Sequence, residues 1–376
     1  LHVIPLTTAT ELSTVKFANY LAQHNSLFLV YALQNEERLD KPQFNFTGEI
    51  DNSVTGPLSC RWYTKKNISD GDEVSDIENI SPAHTIIVAA TGLNFEMLEE
   101  IIVALQIQSN LVKVVANTYH GAFDKVVVNI DCQIDETDIT TGALNRRLKL
   151  LSEALFIDVF LKPSVSLENQ GLAVFDMDST LIEMECIDEI AKLAGVGDAV
   201  SKVTELAMQG EIAFAESLHH RVACLNGVNL SALLSIRKRL PFMPGFAALI
   251  NELKRKGWKI AIASGGFTYF ADYIKVLFEL DYAVSNTLEV KDNKLTGKVV
   301  GKIIDAQSKA DVLQKLAKEN NIPIANTIAV GDGANDLIMM CVAGTGVAFK
   351  AKPKVQAQAA NSIRFSGLEA VLYLLG

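Results

Sequence analysis

Three apolar stretches in the second half of the chain each stop at a polar cluster, and this pattern constrains the fold more than any other feature. Leu172-Ala173-Val174-Phe175 runs into Asp176-Met177-Asp178-Ser179-Thr180. Ile260-Ala261-Ile262-Ala263 ends in Ser264-Gly265-Gly266. Thr327-Ile328-Ala329-Val330 leads into Gly331-Asp332-Gly333-Ala334-Asn335-Asp336. Short apolar runs of this kind read as buried strands. Helical stripes lie between them. Phe246, Leu249, Ile250 and Leu253 form one, introduced by Pro244 and ended by Gly257; Leu313, Leu316 and Ala317 mark another. Leu288 to Val300 reads as a hairpin around Lys291-Asp292-Asn293-Lys294, and Val347-Ala348-Phe349 as the final core strand. Alternating strands and helices imply a doubly wound parallel sheet, whose ligands bind where the carboxyl ends of the strands meet.

Chemistry follows from the clusters. Asp176 and Asp178 lie two residues apart at the end of a buried strand, and on a strand that offset points both side chains to one face. Such a pair is costly unless positive charge sits between the carboxylates. A divalent cation and a phosphoryl group would supply it.

The three runs, DxDST, SGG and GDGAND in that order, resemble the haloacid dehalogenase superfamily of phosphohydrolases, and within it the branch that acts on phosphoserine. The resemblance spans roughly residues 170–376 and implies a Rossmann-like α/β sheet with a helical cap inserted at about 184–243. The expected chemistry is magnesium-dependent hydrolysis of phosphoserine to L-serine and phosphate, the last step of serine biosynthesis. Asp176 is the expected nucleophile, forming an aspartyl-phosphate. Asp178 is the expected acid for the leaving alkoxide and then the base for water. The resemblance further implies that Mg2+ is bound by the Asp176 carboxylate, the Asp178 carbonyl and Asp332, with Asp336 supporting the ion from behind. Ser264 and the Gly265 N–H would hold phosphate oxygens, joined by Lys309 in Asp305-Ala306-Gln307-Ser308-Lys309. Asn335 lies within reach of phosphate or substrate.

Selectivity has to come from the cap. Ile187, Ile190, Ala191 and Ala194 fit one helix face, broken by Gly195 and Gly197, and a helical stretch to about Leu240 follows. Glu183 and Glu185 are both candidates for a substrate ammonium; the family spacing selects Glu185. The resemblance places Arg221 on the substrate carboxylate, where its fork can bind two oxygens. Met208 and Phe214 would form the apolar wall or simply the cap's own core.

The rest of the chain is less explicit. Residues 83–164 read as a strand from His84, a helix with Phe95, Leu98, Ile102 and Leu105 on one face, strands from Val112 and Val126, a helix with Leu144, Leu148, Leu151 and Leu155, and a last strand at Ile157 to Leu161. That order is a split-βαβ, ferredoxin-like sandwich, resembling the ACT modules that often bind amino acids. A packing or dimerisation module is an equal alternative. Residues 1–82 read as a loop-rich α+β segment with a helix-like stretch from Thr10 and a strand at Leu27 to Leu33.

A formal net charge of -10 argues against a nucleic-acid surface, and no segment is long and apolar enough to span a bilayer. Five scattered cysteines without a CxxC, and a start that lacks signal-peptide character, point to a reducing, cytoplasmic setting. Two other readings stay open. One is a related phosphatase or phosphotransferase acting on another phosphorylated amino acid or small alcohol. The other, of a different class, is an amino-acid-sensing regulator with a vestigial catalytic half. A homodimer is compatible with all of them.

Overall fold

The structure, a computed structural model, describes residues 2–6, 28–32, 45–50, 60–64, 84–91, 95–105, 113–117, 126–132, 134–208 and 212–376. It divides into two compact units, Leu1–Lys162 and Pro163–Gly376.

In the first unit eight strands form one sheet: β1 (His2–Leu6), β2 (Phe28–Ala32), β3 (Asn45–Ile50), β4 (Cys60–Thr64), β5 (His84–Ala90), β6 (Lys113–Asn117), β7 (Val126–Cys132) and β8 (Asp158–Leu161). Their spatial order is β1-β2-β3-β4-β6-β7-β5-β8. β1 pairs parallel with β2, and the other neighbouring pairs are antiparallel. The element order expected from His84 onward is present, with helices at Phe95–Ala104 and Ala143–Leu155 between the strands. Leu144, Leu148 and Leu151 are buried on one face of the second helix. Ile101 and Leu105 are buried on the first; the side chains of Phe95, Leu98 and Ile102 lie outside the described residues. The strand expected at Leu27 to Leu33 is β2, and β4 pairs with β6, so one sheet runs from residues 1–82 into residues 83–164. The helix-like stretch from Thr10 lies outside the described residues.

The second unit holds seven strands: β9 (Leu172–Phe175), β10 (Lys259–Phe267), β11 (Tyr282–Lys291), β12 (Lys294–Val300), β13 (Thr327–Gly331), β14 (Thr345–Phe349) and β15 (Asn361–Ile363). They lie in the order β12-β11-β10-β9-β13-β14-β15. All neighbours are parallel except the β11–β12 hairpin. From β9 the chain builds outward through β10 and β11, then returns to the other side of β9 and builds outward again. The direction reverses between β9 and β13, and a crevice opens there at the carboxyl ends of the strands. The sheet is fully buried at its centre: every residue of β9, β13 and β14 is buried. This explains why these strands read as continuous apolar runs rather than as alternation.

Local sequence accounts for the flanking elements. Helix Phe246–Arg255 buries Phe246, Leu249, Ile250 and Leu253 on the sheet side. Each such side chain contributes roughly 1.5–3 kcal/mol. Helix Ala306–Glu319 starts at Asp305, whose carboxylate accepts from the Ser308 N–H at 2.8 Å. It packs through Ala310, Leu313, Leu316 and Ala317 against Leu172, Val174, Ala261 and Ala263. The hairpin turn uses Asp292 and Asn293 at φ 51° and 59°, two left-handed positions in succession, as a tight two-residue turn requires. Val347-Ala348-Phe349 lies in β14 but is not the last strand, because β15 follows it. Asn361-Ser362-Ile363 is short and polar, so it lacks a strand's apolar signature; Asn361 is held instead by donating to Thr345 Oγ1 at 3.2 Å.

Helices Cys186–Leu193, Gly197–Met208, Phe214–Ala223 and Leu230–Arg237 interrupt the sheet between β9 and β10. The chain leaves and re-enters side by side. The Glu183 N–H donates to the Pro241 carbonyl at 2.8 Å, and the Met243 N–H to the Leu181 carbonyl at 2.9 Å. The four-helix insertion therefore hangs from two short paired segments. Among the described residues no helix is long and apolar enough to cross a membrane.

Candidate active site

The crevice between β9 and β13 gathers the predicted acids. The Asp176 N–H donates to the Val330 carbonyl at 2.9 Å, which continues the β9–β13 pairing by one residue and brings Asp176 beside the end of β13. β9 itself stops at Phe175, so Asp176 and Asp178 are not two successive same-face positions of a strand as expected. A turn sets them instead. The N–H groups of Thr180, Leu181 and Ile182 converge on the Met177 carbonyl at 2.8–3.3 Å, and Ser179 takes φ 57°. One product of this turn was not anticipated: the Thr180 hydroxyl donates to Asp332 Oδ1 at 3.0 Å across the crevice. Thr180 belongs to the DxDST run, so the motif contained it, but its role depends on a partner 152 residues away.

Lys309 lies at the centre of the cluster. It is fully buried, not an exposed helix lysine, and its Nζ is 2.8 Å from Asp176 Oδ1 and 2.7 Å from Asp336 Oδ1. The Asp336 contact is a hydrogen bond; the Asp176 contact is an ion pair without hydrogen-bond geometry, so Asp176 Oδ1 keeps unused accepting capacity. Asp336 Oδ2 accepts from the Gly333 N–H at 3.0 Å, so both its oxygens are engaged. A Cβ on Gly331 would stand 2.4 Å from the Asp336 carboxyl carbon; glycine is what lets that carboxyl tuck under the loop.

Oxygens of Asp176, Asp332 and Asp336 lie within 4.8 Å of one another. Three carboxylates against one lysine leave a net charge of about -2 when all are ionised, and every candidate donor is a hard oxygen. A divalent cation of the magnesium or calcium kind fits both the charge and the donor set. Both Asp336 oxygens are already engaged, whereas Asp176 Oδ1 has no hydrogen-bond partner.

Electrostatics separate the acids. Burial, and then the nearby Asp176 charge, push Asp332 up to about 6 against the hydrogen bond from Thr180. The same two causes push Asp336 up to about 7 against Lys309 and the Gly333 N–H. Burial alone would lower Lys309, but Asp176 and Asp336 outweigh it and hold the ammonium above its ordinary value. Asp178 is raised well above the usual carboxylate range by burial, then by Glu185 and Asp176, with hydrogen bonds to Cys186 opposing. A carboxyl raised in this way suits a general acid.

The second cluster closes one wall. The Ser264 hydroxyl is buried and accepts from the Gly266 N–H at 2.9 Å. A Cβ on Gly266 would stand 2.9 Å from Asp178 Oδ2, so the loop and the acid are packed as closely as backbone permits. Asn286, mid-strand in β11, braces this loop. Its amide donates to the Gly265 carbonyl at 2.8 Å and its oxygen accepts from the Ile304 N–H at 2.9 Å. Sequence reasoning missed Asn286; a buried asparagine in a strand is the one available signal, since strands disfavour it. Asn335 lies in the short turn Ala334–Asp336, its carboxamide folded against Gly333.

Above the crevice stand the insertion residues. Glu185 immediately precedes helix Cys186–Leu193 and accepts from the Ser179 hydroxyl at 2.7 Å. It is reachable by solvent yet walled by protein. Burial raises it, with Asp176 and Asp188 adding, while the Ser179 hydrogen bond and Arg221 oppose. Burial lowers Arg221, against Asp188, Glu185 and Asp178. Arg221 therefore shares a field with Glu185 and Asp178. Glu183 is exposed, and its N–H is used in the paired entry to the insertion. Phe214 reaches Gly265, because a Cβ there would meet its ring at 3.0 Å. The Met208 side chain lies outside the described residues.

Known proteins resemble this chain in sequence and in fold. The family model of the haloacid dehalogenase-like hydrolases matches residues 171–344. A phosphoserine phosphatase of Vibrio cholerae serotype O1 is 52% identical over 241 residues, covering 64% of this chain and 74% of that protein. One from Haemophilus influenzae is 57% identical over 212 residues, covering 56% and 68%. A solved structure described as a phospho-aspartyl intermediate analogue of phosphoserine phosphatase is 41% identical and superposes with a TM-score of 0.53, covering 55% of this chain and 100% of that one. The chain belongs to the phosphoserine phosphatases, a branch of the haloacid dehalogenase-like hydrolases.

Proposed function

We propose that the second unit hydrolyses O-phospho-L-serine to L-serine and phosphate with magnesium as the metal, as the last step of serine biosynthesis. The observation that carries this reading is the buried Asp176, held beside Lys309 and close in sequence to a second carboxyl, Asp178, that burial raises well above the usual carboxylate range. Asp176 attacks phosphorus, the P–O bond to serine breaks, and Asp178 gives its proton to the departing alkoxide. Asp178, now a carboxylate, takes a proton from water. The hydroxide formed attacks the phosphorus of the acyl phosphate, and Asp176 is released. Ser264, the Gly265 N–H, Lys309 and Asn335 hold the phosphoryl oxygens. Magnesium bound by Asp176, the Asp178 carbonyl and Asp332 would neutralise the carboxylates that otherwise repel a phosphate dianion. In the insertion, which serves as the cap, Arg221 holds the substrate carboxylate and Glu185 its ammonium.

The test is phosphate release across phosphoserine, phosphothreonine, phosphoethanolamine and an aryl phosphate, with magnesium and after chelation. Phosphoserine should be preferred, and activity should vanish on chelation and return with magnesium. A chelation-insensitive activity, or preference for an ester without the amino-acid group, would overturn the reading.

Asp178→Asn provides a separate expected outcome. Attack by Asp176 survives, but no proton reaches the leaving group. An aryl phosphate, whose phenolate leaves without help, should lose less activity than phosphoserine, by about 10²-fold or more. Equal losses on both substrates would remove Asp178 from the acid role.

For the first unit, the consecutive antiparallel order β6-β7-β5-β8 with its two connecting helices supports a ferredoxin-like, ACT-like module spanning residues 83–164. Its part in the reading is amino-acid binding or the pairing of two copies. A cytoplasmic setting completes the reading; the free cysteines at 186, 224 and 341 support a reducing compartment.

A further inference from the structure

One stripe of helix Phe214–Ala223 carries residues tied to the site. Phe214, Ser217 and Arg221 are three and four residues apart, so they stack on a single helix face. The two outer members are tied to the site: the Phe214 ring lies against Gly265, and the Arg221 charge is felt by Asp188 and then by Glu185 and Asp178. Ser217, between them, faces the same way.

Its hydroxyl has no partner there. Ser217 is 1% exposed, and its Oγ is a buried atom without a hydrogen bond. The usual fate of a helical hydroxyl or thiol is to bond back to a carbonyl three or four residues earlier. Ser235 does so to Ala232, Thr204 to Val200 and Cys224 to His220. Ser217 does not, although its own N–H donates to the Ala213 carbonyl at 2.9 Å. One turn later, Arg221 Nε is likewise buried without a partner. Two unused donors, an O–H and an N–H, therefore stand one turn apart on the helix face shared with Phe214. Leaving both unmet is costly, and a single acceptor with two oxygens would meet both.

We infer that Ser217 is a second contact for the substrate carboxylate, its hydroxyl and the Arg221 Nε–H forming a two-pronged clamp. A carboxylate suits this pair because it only accepts, through two oxygens, and the substrate ammonium would be repelled by Arg221. This inference rests on the proposed role of Arg221, and the experiment separates the two.

The measurement is kcat/KM for phosphoserine divided by kcat/KM for phosphoethanolamine, which lacks the carboxylate, in the native chain, Ser217→Ala, Ser217→Thr and Arg221→Ala. General damage to folding or chemistry cancels in this ratio. Ser217→Ala should lower the ratio about tenfold, the size of a lost hydrogen bond to a charged group. Ser217→Thr, which keeps the hydroxyl, should recover most of it. A parallel readout free of turnover is calorimetric binding of phosphoserine and of inorganic phosphate in an Asp176→Asn background, where Ser217→Ala should weaken phosphoserine alone. If Arg221→Ala collapses the ratio while Ser217→Ala leaves both the ratio and binding unchanged, the hydroxyl does not contact the carboxylate and the inference fails. If Arg221→Ala itself leaves the ratio unchanged, the carboxylate is held elsewhere, and the proposed cap reading falls with it.

Discussion

Asp176→Asn should reduce phosphoserine turnover at least about a thousandfold while leaving the fold intact. An amide is a poor nucleophile and a poor magnesium ligand, so both of the proposed duties of Asp176 are lost together. Stability should change little, because two opposing terms are removed. The ion pair to Lys309 at 2.8 Å disappears, but Lys309 keeps its hydrogen bond to Asp336. At the same time the charge that adds to burial in raising Asp332 and Asp336 is gone. Thermal unfolding of the metal-free protein should therefore move by only a few degrees. Rapid quenching with phosphoserine labelled in its phosphate should leave label on the native chain and none on the variant. Appreciable residual hydrolysis, with deamidation back to aspartate excluded by mass, would rule out a covalent route through this residue.

How far the site could be read from the chain alone depended on whether a residue's partners were near it in sequence or only in space. Asp176, Asp178 and Asp332 follow buried strands, and Ser264 ends the apolar run within β10; a polar residue at the end of an apolar run is visible without a structure. The central sheet was legible for the same reason: β9, β13 and β14 are buried on both faces, so their runs carry no competing alternation. Thr180 and Asn286 were not legible, because each acts by bridging segments distant in sequence. The relation between Asp176 and Asp178 was read from strand geometry, but the strand ends one residue earlier and a turn around the Met177 carbonyl does the positioning. β15 escaped notice because Asn361-Ser362-Ile363 is held by side-chain bonding and by its neighbour β14, not by an apolar pattern. Likewise, no local signal announces that β4 pairs with β6, since a pairing across roughly fifty residues is a property of the sheet and not of either strand. Lys309 lies between these cases. Its position in a helix was plain, but its complete burial follows only from the apolar stripe of Ala310, Leu313, Leu316 and Ala317, which seats the helix on the sheet.

Lys309→Met is the substitution in which stability and activity should fall together. Methionine nearly matches the lysine in length, so packing is preserved and the change isolates the charge. Removing one member of a buried ionic cluster leaves the others unpaired, a loss of about 3–5 kcal/mol. Here the ammonium is 1% exposed and serves two carboxylates, Asp176 at 2.8 Å and Asp336 at 2.7 Å. Turnover should drop as well, because a point charge on the phosphoryl oxygens is lost. The pH dependence supplies the discriminating test, and its sign follows from the acids. Asp332 and Asp336 are raised to about 6 and about 7, above the usual value near 4 for an unfolded aspartate. Between those limits the folded state binds more protons than the unfolded one, so these two groups lower stability as pH rises toward 7. Lys309 opposes that loss only while the carboxyls are ionised. In metal-free protein, the stability gap between native and variant should therefore be widest above pH 7 and should narrow on acidification toward pH 5, as protonated carboxyls cease to need a counter-charge. Urea unfolding at a series of pH values with a chelator present reads this directly. A gap that stays constant from pH 5 to pH 8 would show that lost packing, and not lost charge, explains the variant, and Lys309 would then not be the counter-ion of this cluster.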